Sequence, residues 1–188
     1  MSRLWKALLM VGLGVLLVRG PAAGQTNLEL GSGIAVGSHT GTAAGLDIAP
    51  APSFQALILR QMKPGLSVYG GYVRTAFGCT EGFCLDRDLT VVGNHVALGV
   101  EMRRGSPGLR LGLLFGSTEV GTEGESPDAG PGLHAGGGFT IGSGRVRFLP
   151  GVSYRWLSAD TPSSSDHAVA LSLDLGVRIR LGSTESVP

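Results

Sequence analysis

Residues 167–181 read HAVALSLDLGVRIRL. The odd positions carry Val169, Leu171, Leu173, Leu175, Val177, Ile179 and Leu181, and the even ones Ala170, Ser172, Asp174, Gly176, Arg178 and Arg180. A strand projects successive side chains to opposite faces. This segment therefore has one aliphatic face and one face of small or charged residues. A helical stripe repeats about every 3.6 positions instead. The stretch is a strand between two different surroundings.

The same alternation recurs upstream. In Asn27–His39, Leu28, Leu30, Ile34 and Val36 oppose Glu29, Gly31, Gly33, Ala35 and Gly37. In Asp88–Arg103, Val92, Val96, Leu98, Val100 and Met102 oppose Gly93, His95, Ala97, Gly99 and Glu101. Leu109–Ser117, Leu133–Ile141 and Arg145–Leu157 follow the pattern, with Arg110, His134, Arg147 and Arg155 on their polar sides. Ser53–Met62 and Leu66–Phe77 also read as strands, but their broken alternation assigns no face. Pro150 removes a ladder donor and marks a bulge or an edge.

These eight strands are joined by connectors of alternating length. Long ones cover 40–52, 78–87, 118–132 and 158–166, and short ones with Pro or Gly turn chemistry cover 63–65, 104–108 and 142–144. An even strand count, with short turns at one end and long loops at the other, predicts an all-β, eight-stranded antiparallel up-and-down transmembrane β-barrel. Tilted strands of about 9–11 residues suffice to cross the hydrocarbon.

Alternation alone also fits a soluble barrel with its aliphatic face inside. Composition separates the two. The chain holds 32 Gly in 188 residues and only 15% charged residues, against roughly 25% in ordinary domains. A water-facing strand surface carries long charged side chains, whereas the polar face here is mostly Gly, Ser and Ala. Small residues suit the cramped interior of an eight-stranded barrel, so the aliphatic face is expected to meet lipid. Formal net charge is +1, with no basic run beyond Arg103-Arg104, which argues against a nucleic-acid partner.

The chain starts with Arg3 and Lys6, continues through the apolar run 7–18 and then reads RGPAAGQ. This is the pattern of a secretory signal peptide cleaved after Gly24. Twelve apolar residues are too few for the roughly 20 of a membrane helix. The expected organisation is a signal peptide at 1–24 and a barrel at 25–188, leaving no length for a further domain.

Over the whole mature length the chain resembles the small eight-stranded bacterial outer-membrane barrels of the OmpA/OmpX type. The most specific element is DLGVRIRL, residues 174–181. Asp174, Gly176, Ile179 and Leu181 match the signal by which barrel-assembly machinery reads a last strand. Members of such families usually finish on an aromatic residue, where this chain has Leu181 and a seven-residue tail. The resemblance implies an outer-membrane location and a monomer. It also implies membrane lipid, lipopolysaccharide and the assembly machinery as partners, and no cofactor.

Charged lumen residues need partners. Glu101 and Arg110 are equidistant from the turn centre between Gly105 and Ser106, and so should face each other. Closure brings Glu29 beside Arg178 and Arg180. The expected lumen ion network is Glu29, Glu101, Arg110, Arg147, Asp174 and Arg178, with a structural role. Cys79 and Cys84 frame CTEGFC and in an exported protein are expected to form a disulfide. No metal site is expected.

No catalytic residue is assigned. The four histidines occur as HTG, HVA, HAG and HAV, so the His-x-Ser of barrel lipopolysaccharide deacylases does not occur. Ser163–His167 (SSSDH) gathers triad residue types, but a triad is defined by geometry. The expected role is structural, adhesive or recognitional through four loops. The alternatives are a lipid-modifying membrane enzyme and a secreted soluble barrel holding a ligand.

Overall fold

The computed structural model describes residues 25–40, 50–79, 89–120, 128–158 and 167–181. They form eight strands: β1 (Thr26–Thr40), β2 (Ala51–Lys63), β3 (Leu66–Cys79), β4 (Leu89–Arg103), β5 (Pro107–Val120), β6 (Asp128–Phe139), β7 (Val146–Ser158) and β8 (His167–Leu181). Each pairs antiparallel with its sequence neighbours. β1 also pairs with β8, in register from Thr26↔Leu181 to Thr40↔His167, which closes the barrel. The expected signal peptide at 1–24 lies outside the described residues.

The short turns show why those sequences stop strands. Lys63-Pro64-Gly65-Leu66 reverses the chain in two residues, with Gly65 at φ 77°. Proline presets the first central position of such a turn, and glycine takes the positive φ of the second. At Gly65 a Cβ would also lie 2.6 Å from the Arg103 carbonyl oxygen.

Orientation follows from exposure. Leu171, Leu173 and Leu175 are 53%, 70% and 58% exposed, while Ala170, Ser172 and Arg178 are buried. Leu30, Ile34, Leu111, Leu113, Phe115 and Phe148 continue the apolar exterior around the wall. In water such a belt would be an aggregation surface. Around a closed barrel it is the lipid-facing band of a transmembrane protein. A soluble barrel with its aliphatic side chains inside is excluded by this arrangement.

The two strands with broken alternation are resolved. β2 turns Ser53, Gln55, Leu57 and Leu59 inward, and β3 turns Tyr69, Val73, Thr75 and Phe77 inward. Apolar side chains thus occupy the lumen side of both, while Arg60, Tyr72 and Arg74 stand on the outer side, which is why the pattern hid their faces. Pro150 introduces no bulge. β6 and β7 keep one register from Gly138↔Gly151 to the bridge Ile141↔Phe148, and pairing skips the proline between them. β6 begins earlier than the glycines and Pro131 suggest. Residues 128–131 pair with β5 alone, so proline is tolerated in a one-sided ladder.

Candidate functional site: the filled lumen

Nearest the short turns, four side chains from four strands form one ionic tetrad. Glu101 and Arg110 are register partners across the β4–β5 hairpin, and Glu29 and Arg178 are partners across the closing β1–β8 seam. Arg178 Nη2 lies 2.6 Å from both Glu29 Oε2 and Glu101 Oε2. Its Nη1 donates to Glu101 Oε1 at 2.8 Å and its Nε to Glu29 Oε2 at 3.1 Å. Arg110 donates to both oxygens of Glu29 at 2.9 Å and to Glu101 Oε2 at 2.7 Å. Two carboxylates thus share two guanidiniums, in the charge-assisted geometry that makes such bonds strong, and Arg103 Nε donates to Glu101 Oε1 from the rim at 3.4 Å. Glu29 is 2% exposed and Glu101 3%.

Aromatic packing extends the tetrad. The Arg110 guanidinium carbon lies 5.1 Å from the Tyr69 ring centroid, within cation–π range. Tyr69 Oη is 3.2 Å from His134 Nδ1. The Tyr69 hydroxyl occupies a slot made by two glycines that pair across β4 and β5. A Cβ at Gly99 would stand 2.6 Å from it, and one at Gly112 would collide with it. This close approach explains why glycine alternates on the inner face.

Further from the short turns, Asp174 forms a second polar set. It accepts from Ser153 Oγ at 2.6 Å and Ser172 Oγ at 2.7 Å. Ser172 also bonds Ser53 at 3.0 Å. Arg155, 1% exposed, is 3.8 Å from Asp174 and donates to Thr75 Oγ1 at 3.1 Å. Its Nε and Nη2 have no hydrogen-bond partner among the described residues. Beyond this layer Val73, Phe77, Val91, Leu114, Leu157, Ala168 and Ala170 pack as an apolar plug.

A cavity of about 60 Å³ lies between Glu29, Glu101, Arg110, His134, Ser153 and Asp174. That admits a few waters and no larger guest. Among the described residues no group of three His, Cys, Asp or Glu side chains is placed to hold a metal.

Of the expected ion network, the structure brings together Glu29, Glu101, Arg110 and Arg178. Asp174 is displaced from them into the serine-lined set. Arg147 does not join and is corrected to a rim residue. Its Nε donates to the Gly144 carbonyl at 3.4 Å. Its register partner is Arg178, whose guanidinium already holds both carboxylates, so like-charge repulsion favours the outward course. Tyr69 and Gln55, whose Nε2 donates to Glu29 Oε1 at 3.4 Å, escaped sequence reasoning, and His134 and Arg155 were placed on polar faces without a role. Arg155 stood on the polar side of its strand, and only three-dimensional height shows its neighbour to be Asp174. Asp174, Gly176, Ile179 and Leu181 lie in β8, with Gly176 buried against the lumen and Leu181 exposed. The expected Cys79–Cys84 disulfide and Ser163–Asp166 lie outside the residues whose side chains are described. His167 stacks near Trp156, with ring centroids 5.8 Å apart.

No protein-family model matches this chain, and no curated protein matches it. Solved structures do. Neisserial surface protein A superposes with TM-score 0.59 at 14% identity, covering 83% of this chain and 97% of that one. The attachment invasion locus protein Ail of Yersinia pestis gives TM-score 0.51 at 15% identity, covering 84% of this chain and 100% of that one. Ail is an outer membrane protein also studied in phospholipid bilayer nanodiscs. At these identities the likeness is one of fold: the closed eight-stranded barrel of small outer-membrane proteins.

Proposed function

We propose that this chain, a barrel of the small outer-membrane type, works in the bacterial outer membrane as a structural or surface-recognition protein. The observation that supports this reading is the filled lumen: tetrad, serine–aspartate layer and apolar plug succeed one another along the axis. Such an interior favours a scaffold over a channel, since eight strands leave room only for side chains. Recognition then falls to the segments 41–49, 80–88, 121–127 and 159–166, which join strands at one end. Surface loops on a rigid scaffold are where binding specificity usually resides. No catalytic role is part of this reading. The partners are membrane lipid and lipopolysaccharide along the wall, and assembly machinery reading β8.

Membrane fractionation with heat-modifiable gel mobility tests the reading. Recovery in the outer-membrane fraction, with a compact unboiled species, is expected. Recovery in the aqueous supernatant would overturn the location. Solute flux through reconstituted vesicles would overturn the scaffold role.

A further inference from the structure

Among the described residues the lipid-facing wall carries a polar cluster that the lumen does not explain. Tyr72 and Arg74 on β3 and Asn94 on β4 all point outward, and Arg74 and Asn94 are register partners. Asn94 Oδ1 accepts from Tyr72 Oη at 2.6 Å and from Arg74 Nη1 at 3.0 Å. One acceptor thus fixes the guanidinium. Arginine has five N–H donors, and the described residues engage one of them, through Asn94. No carboxylate among the described residues lies within ion-pairing distance of Arg74. Glu119, also on this side of the wall, stands two strands away.

Depth decides what can meet this charge. Strands of about 9–11 residues cross the hydrocarbon, and the interval from Gly65 at the short turn to Arg74 has that length. Arg74, Asn94 and Ser117 align across three strands. On β4 and β5 the outward apolar runs Met102–Val96 and Leu109–Phe115 reach this line, beyond which Val92 and Glu119 follow on the outward side. An outward arginine is costly at the bilayer midplane and close to neutral at an interface. Arg74, a full hydrocarbon-crossing interval beyond the short turn, therefore stands at the headgroup level at the loop end. A half-buried guanidinium held at that level, with Phe54 beside it on β2, complements an anionic headgroup whose acyl chains cover the wall below.

We propose that Arg74, positioned by Asn94 and Tyr72, binds the phosphate of a lipid headgroup in the leaflet at the loop end. This rests on the outer-membrane reading, which makes that leaflet the outer one and its phosphate that of lipid A. The test measures thermal stability of the full barrel in non-ionic micelles doped with bisphosphorylated lipid A or with its dephosphorylated form. Inorganic phosphate serves as a third arm. Wild-type protein should gain a phosphate-dependent upward shift in Tm from lipid A and none from inorganic phosphate. Arg74→Gln should lose that shift and Asn94→Ala should diminish it, while Arg60→Gln, outward at the opposite end of the wall, should keep it. An undiminished shift in Arg74→Gln overturns the site. An equal response to inorganic phosphate overturns the lipid assignment. If Arg74→Gln does not fold, an unchanged shift in Asn94→Ala likewise overturns it. Fractionation to the aqueous supernatant would sink the location while leaving the micelle result standing, so the two failures are separable.

Discussion

Arg178 Nη2 reaches Glu29 Oε2 at 2.6 Å across the seam where the last strand meets the first. The same nitrogen reaches Glu101 on the far side of the lumen. One guanidinium therefore ties the closing strands to the β4–β5 hairpin, and the energetics of the barrel should concentrate there.

Removing one acid exposes that concentration. Glu101→Ala leaves Arg110 and Arg178 sharing Glu29 alone, inside a lumen with room for only a few waters. Breaking a buried ion pair costs about 3–5 kcal/mol. The midpoint of the heat-modifiable mobility transition in detergent should fall markedly, and an unchanged midpoint would count against the tetrad.

Arg155 should behave in the opposite way. It is buried with two nitrogens unbonded among the described residues, whereas Arg178 spends every nitrogen on a carboxylate. Replacing a poorly compensated buried ion by a packed apolar side chain is often neutral or stabilising by about 1–4 kcal/mol. Arg155→Met should leave urea stability equal or higher, and Arg178→Met should lower it. Equal losses from both would contradict the assignment.

The glycine slot makes a paired prediction. Gly112→Val drives a side chain into the Tyr69 hydroxyl, and overpacking costs roughly 1–3 kcal/mol. Adding Tyr69→Ala should recover part of that loss in a double-mutant cycle of unfolding free energies. Strict additivity would show that the two positions do not touch.

On the exterior, Leu173→Arg places a charge at the most exposed leucine of β8. Folding into phospholipid vesicles should weaken by about 2–4 kcal/mol, the midplane cost. The same substitution at Leu181, beside the short-turn rim, should cost less. Equal penalties would mean that Leu173 does not sit in hydrocarbon.

Much of this was legible in the chain because lipid and lumen select different side chains. β8, β1 and β5 alternate leucine with glycine, serine or arginine, so topology and orientation could be read together. β2 and β3 could not, because Leu57, Leu59, Val73 and Phe77 fill the lumen while Arg60 and Arg74 face outward. Apolar residues on both faces erase a period of two. In the site, Glu101 opposite Arg110 follows from a short turn and Glu29 opposite Arg178 from closure, both local rules of register. Arg147, Arg155 and Tyr69 depend instead on side-chain reach and on height along the axis, which spacing does not encode.

The tetrad also bears on the order in which the chain becomes a barrel. Arg178 and Glu29 stand 149 positions apart, so their attraction rewards only the last event of assembly, after nearly all the entropic cost of bringing the termini together. Until β8 docks, Glu101 keeps Arg110 and the rim residue Arg103, 3.4 Å away, whereas Glu29 at the open edge holds Arg110 and lacks its second guanidinium. Docking of Arg178 thus completes the pairing of the acid at the gap it seals, and a sheet that stops short retains a half-paired Glu29 as the mark of incompleteness.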